Sequence, residues 1–131
     1  MSEKDAESLL TREVLEEIFP PERADEFFEA LFGDSSEGSF DIGLSFKALR
    51  GQVLELEFQL RQRPGKCLAC NVTYGLPQVF SRHPVIDVPG VVQQVTSLVN
   101  GSRVEGWELG RTREVSGELH VIPLTITLSQ D

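Results

Sequence analysis

Phe40, Ile42, Leu44 and Phe46 alternate with Ser39, Asp41, Gly43 and Ser45. A period of two predicts a strand with one buried face. Leu54, Leu56, Phe58 and Leu60 repeat the pattern against Glu55, Glu57, Gln59 and Arg61. With Arg50-Gly51-Gln52 between them, the two runs are expected to form an antiparallel hairpin, and Pro64-Gly65 ends its second strand.

Upstream the period lengthens to 3.6. Val14, Leu15, Ile18 and Phe19 follow Thr11, a candidate N-cap, and Pro20-Pro21 stops that helix. From Pro21 to Phe32 the residues Ala24, Phe27, Phe28, Leu31 and Phe32 form one broad apolar stripe, closed by Gly33. Its phenylalanines are read as core, and Asp34 to Ser39 as a polar loop.

Downstream, Asn71-Val72-Thr73-Tyr74 is β-branched and aromatic, which predicts a short third strand carrying Cys70, Val72 and Tyr74 on one face. Gly75-Leu76-Pro77 and His83-Pro84 read as irregular. Val88, Val91, Val92, Val95, Leu98 and Val99 keep helical spacing from Pro89 to Asn100-Gly101, with Asp87 as the cap. Valine is a mediocre helix former, so this helix must be held by packing against a sheet. Residues 104 to 111, with Trp107 and Leu109 in alternation, and 119 to 128 read as a final hairpin turning at Ser116-Gly117. On the last strand His120, Ile122, Leu124, Ile126 and Leu128 share a face. Pro123 has no N–H to give a ladder and is expected to confine that strand to an edge or a bulge.

These elements predict an α+β fold: two N-terminal helices, a mainly antiparallel sheet of about five strands, and one further helix between strands 3 and 4. The chain is read as a single domain over 1–131, an acidic helical pair at 1–33 followed by the sheet with one helix at 39–131.

Composition adds a bound. The 131 residues are 40% hydrophobic and 25% charged, as in ordinary globular chains, and no apolar run approaches the length that spans a bilayer. The start, Met1-Ser2-Glu3-Lys4-Asp5, lacks the basic and apolar segments of a secretory signal, so a cytoplasmic location is expected. The net charge of −9 is concentrated in residues 1 to 44, which hold thirteen acids against Lys4, Arg12 and Arg23. The remainder is close to neutral. Such a chain lacks the electrostatic footprint of a nucleic-acid binder.

Candidate chemistry centres on the only two cysteines, Cys67 and Cys70. Their spacing, with His83 following Cys70 after twelve intervening residues, copies three ligand positions of a ββα zinc finger. The fourth is missing, and Gly75 and Pro77 are expected to break the helix that a finger needs. His120 would complete a zinc site only through the fold, and a four-thiolate site shared by two copies is the other route. For redox use, Arg63, Lys66 and Arg82 would favour the thiolate, although strand formers follow where a thioredoxin-type site has a helix. Asn71 stands where haem attachment requires histidine. Arg61, Arg63, Lys66 and Arg82 are candidate anion ligands, with pairing to the acidic helices as the alternative. No nucleophile motif, P-loop or dinucleotide fingerprint occurs. His120 reads as a satisfied histidine on an apolar face.

The resulting expectation is a non-enzymatic cytoplasmic interaction domain without a cofactor, binding a protein partner or itself, with neither nucleic acid nor membrane. A homodimer through the last strand or the valine-rich helix is expected. The alternative is a thiol-redox or zinc-binding protein using Cys67 and Cys70.

Overall fold

The computed structural model describes residues 3–68, 73–99 and 102–130. Three helices come first: α1 (Glu3–Leu9), α2 (Arg12–Ile18) and α3 (Glu22–Phe32). A 3-10 turn (Ser35–Glu37) leads into β1 (Phe40–Arg50) and β2 (Val53–Gln62); then follow α4 (Leu76–Arg82), α5 (Val88–Ser97), β3 (Ser102–Leu109), β4 (Arg113–Ser116) and β5 (Leu119–Gln130). The fold is α+β with an antiparallel five-stranded sheet.

Local chemistry sets the helix ends. Thr11 Oγ1 accepts from the Val14 amide at 3.3 Å and caps α2, which stops before Pro20-Pro21. Gly33 takes a left-handed conformation, φ 78°, and its amide closes α3 on the Glu29 carbonyl at 2.7 Å. Asp87 caps α5 by accepting from the Gly90 amide. The helices bury one stripe each against one face of the sheet. Phe27 and Phe28 of α3, Phe19 after α2, Phe80 of α4 and Val88, Val91, Val92 and Val95 of α5 join Leu54, Leu56, Phe58, Leu60, Ile122, Leu124 and Ile126 in a single core. Phe58 lies at its centre, edge-on to Phe19 at 5.4 Å and to Phe80 at 5.6 Å. Rings in this arrangement add roughly 0.5–1.5 kcal/mol per pair beyond area burial.

Strand order is β1-β2-β5-β3, with β4 continuing beside β5. The last strand is therefore inserted between β2 and the β3–β4 side, and the expectation of an edge position for it is corrected. The physical reason lies at Pro123. The Gln62 amide bonds the Glu118 carbonyl at 2.9 Å, and pairing alternates from there, so even-numbered residues of β5 face β2 and odd-numbered ones face β3 and β4. Pro123 turns its nitrogen to the side where β3 has ended at Leu109 and β4 has not begun. Its carbonyl is still used there, accepting from the Gly110 amide at 2.8 Å. A proline is tolerated in a central strand because the neighbouring strand is interrupted opposite it.

Other expectations are also revised. Among the described residues there are three N-terminal helices rather than two, and two helices rather than one between the hairpin and the final strands. The third strand expected at 70–74 falls partly outside the described residues, and Tyr74 stands in a turn. The segment expected to be irregular, with its helix broken by Gly75 and Pro77, instead forms α4. Pro77 occupies the first turn of α4, where a helix needs no amide donor. Strand β4 supplies the fifth strand, and none of its residues is buried.

Candidate functional site

Of the four residues singled out as metal ligands, Cys67, His83 and His120 are among the described residues. Cys67 is exposed and disulfide-bonded, while Cys70 lies outside the described residues. His83 ends α4, where its Nδ1 accepts from the Val85 amide at 3.2 Å and its ring packs on Phe27 at 4.9 Å. His120 is 1% exposed on β5 and shares a 2.8 Å hydrogen bond between its Nδ1 and Thr73 Oγ1. Thr112 Oγ1 in turn donates to the Thr73 carbonyl at 2.6 Å. Among the described residues, no three His, Cys, Asp or Glu side chains are grouped to hold a metal ion.

The basic residues are separated. Arg63 Nε donates to Asp41 at 3.0 Å, one terminal nitrogen donates to the Ser35 carbonyl at 3.0 Å, and the other donates to Asp25 at 2.8 Å. Its guanidinium also lies over the Phe28 ring at 5.3 Å. Arg63 thus ties α3 and the turn after it to β1, and three of its donors are already engaged. Arg61 points onto the sheet face opposite the core and donates to Gln59 at 3.0 Å. Arg82 belongs to α4 in the helical layer, and Lys66 is exposed in the turn after β2. Lys66 makes a minor contribution to a lowered Asp34 pKa, which is set mainly by the Ser36 amide and hydroxyl donating to that carboxylate.

A feature without any diagnostic side chain stands out more clearly. Strand β1 pairs with β2 alone, so among the described residues its outer side has no partner strand. The Arg63 amide bonds the Ser39 carbonyl at 3.0 Å, which fixes the parity of the ladder. Asp41, Gly43 and Ser45 exchange hydrogen bonds with β2, whereas Phe40, Ile42, Leu44 and Phe46 turn their N–H and C=O groups outward. The run is straight as far as Phe46. Beyond it Lys47 is an extra residue in a bulge, its ammonium 3.6 Å from Glu57.

Beside this edge lies a groove of about 790 Å³. One wall is formed by α1 and α2 through Glu7, Leu10, Thr11, Arg12, Leu15 and Glu16, and the other by β1 from Asp41 to Phe46 with Gln59 and Arg61. Leu10 and Leu15 are buried, so the apolar surface accessible in the groove comes from the half-buried Leu44 and Phe46. Arg12 and Glu16 form an exposed pair across one turn of α2 at 3.2 Å. A smaller concavity of about 410 Å³ lies at Gly75, Gln78, Val79, Arg82, His83 and Pro84. The edge went unnoticed in the sequence because its carriers are backbone atoms. Alternation reveals a strand, but edge status depends on which strands flank it.

Two surfaces expected to mediate self-association are otherwise engaged. Strand β5 is flanked on both sides, and the valines of α5 are in the core. No described helix is long and apolar enough to cross a membrane. Comparisons of the chain with protein-family models, curated proteins and solved structures found no match.

Proposed function

We propose that this chain is a non-enzymatic interaction domain that binds an extended segment of a partner protein along the open edge of β1. The observation that carries this reading is the pair of outward-turned backbone positions at the half-buried Leu44 and Phe46, set in a groove rather than on a flat rim, whereas Ile42 upstream is only 2% exposed. Unpaired strand edges are templates for an added strand, and proteins that do not use them blunt them with bulges, charges or proline. The acidic charge opposes nucleic-acid binding and supports a protein partner.

Leu44→Pro tests the reading. Residue 44 donates nothing to the β2 ladder, so proline there removes one outward donor while leaving the sheet paired. The variant should keep its melting temperature within a few degrees and lose binding of a strand-forming peptide. Undiminished binding would contradict strand addition. Sedimentation of the chain alone reports whether a second copy occupies the edge, in which case Leu44→Pro shifts the dimer to monomer.

A second reading, thiol chemistry at Cys67 and Cys70, is favoured by the exposed disulfide at Cys67. In a cytoplasmic setting such a bond belongs to redox function rather than to structural support. Mass spectrometry of protein alkylated at the moment of lysis checks it. A fully reduced chain under both oxidising and reducing growth would remove this reading.

A further inference from the structure

The groove has two chemically different sides, and an added strand would present alternate side chains to each of them. On the helical side, the apolar floor is Leu44 and Phe46 and the rim carries Glu7 together with Glu16, which shares an exposed ion pair with Arg12. The helices behind that rim hold Glu3, Asp5, Glu7, Glu13, Glu16 and Glu17 against Lys4 and Arg12. On the opposite side the lining is Asp41, Gly43, Ser45, Gln59 and Arg61. Asp41 is already engaged by Arg63, which leaves Arg61 as the charge facing that side.

We infer that the segment bound at β1 is basic at every second position, with small neutral residues between. This rests on the strand-addition reading above. Lysine or arginine directed to the helical side lays its methylene stem on Leu44 and Phe46 and extends its charged end to Glu7, and to Glu16 in competition with the exposed Arg12. The intervening residues meet the small polar side, where Arg61 repels a second row of cations. The charge pattern therefore selects the phase of the added strand as well as its sign. The β1 lining from Asp41 to Phe46 matches a segment of roughly six residues, about 20 Å in extended form. A second copy of this chain fits less well, because pairing two β1 edges brings two acidic helical walls together.

The test uses the full chain and three end-capped seven-residue peptides: lysine alternating with threonine, the same composition in two blocks, and glutamate alternating with threonine. Affinity is read by fluorescence anisotropy and the site by residue-resolved amide exchange. The alternating lysine peptide should bind best and slow exchange at Leu44 and Phe46. Glu7→Gln with Glu16→Gln should weaken it by about fivefold or more, on the scale of two exposed ion pairs, without changing the melting temperature. Equal binding of the glutamate peptide, or of the block peptide, would overturn the charge-pattern inference while leaving strand addition standing if Leu44 and Phe46 are still protected. If none of the peptides protects those two amides, or if Leu44→Pro binds the lysine peptide as tightly, strand addition falls with it.

Discussion

The sheet has two edges, and they are treated differently. On the β3–β4 side the longest straight run is Gly106 to Leu109, since a bulge at Glu105 precedes it and the chain leaves the sheet after Leu109. Helices lie against both edge strands, α4 and α5 against β3 and α1, α2 and α3 against β1, while Tyr74 donates to Glu114 of β4 at 2.9 Å. On the β1 side the run continues from Phe40 to Phe46 before any irregularity. One edge is broken into short runs by a bulge and a gap, and the other is interrupted only at its end. Since both belong to one sheet and share one core, this contrast is the basis for proposing a docking surface where no side-chain motif points to one.

The largest break in this contrast is expected from Phe19→Ala. Phe19 is 1% exposed, packs edge-on against Phe58 and stands at the base of the groove. Its loss should cost about 3–5 kcal/mol in urea denaturation, with the α2 side of the molecule opening first in amide exchange. Next comes a parity test within β1. Gly43→Pro removes an amide that bonds Gln59 and should cost about 2–3 kcal/mol, the value of a lost ladder bond plus an unsatisfied acceptor. Leu44→Pro, one residue along, should cost no more than about 1 kcal/mol, since it loses only part of a half-buried side chain. Equal costs would mean that the assigned parity of the edge is wrong.

At the other edge, a Cβ on Gly110 would lie 3.3 Å from two atoms of the Pro123 ring. Gly110→Ala should therefore destabilise by about 1 kcal/mol through crowding, measured by thermal unfolding, and should leave peptide binding at β1 unchanged. The smallest effect is ionic. Tyr74 is the only tyrosine, and its pKa is raised because the phenol donates to Glu114 and the carboxylate opposes a phenolate. Ionisation is harder in the folded chain than in the unfolded one. The bond therefore supports the fold below about pH 10, the ordinary phenol range, and that support fades as pH rises through the higher folded value. Absorbance titration should show folded Tyr74 ionising above pH 10, with Glu114→Gln moving it back down.

The legible and illegible parts of the fold divide along the range of the interactions. Period-two alternation located β1, β2 and β5, and capping chemistry located α2, α3 and α5, because these signals reside within a few residues of the element itself. The same local signals misled where context prevails. Pro77 reads as a helix breaker but sits in the first turn of α4, and Pro123 reads as an edge marker but sits opposite a gap left by residues distant in sequence. Strand β4 is short and uncovered, so it has no alternation to display. The cysteine and arginine motifs are conspicuous chemistry in the sequence, yet the Arg63 donors are taken up by Asp25, Asp41 and the Ser35 carbonyl. The candidate site was invisible for a related reason. Its hydrogen-bonding groups are common to every residue, and only the placement of β5 between β2 and β3 leaves β1 exposed.

The most direct measurement is residue-resolved amide exchange on β1, with and without the alternating lysine peptide. In the free chain Gly43 and Ser45 should exchange slowly and Leu44 and Phe46 quickly, and saturating peptide should slow the second pair to the level of the first. Exchange at Leu44 and Phe46 that is already slow in the free chain, or that is unchanged by bound peptide, would contradict an open binding edge.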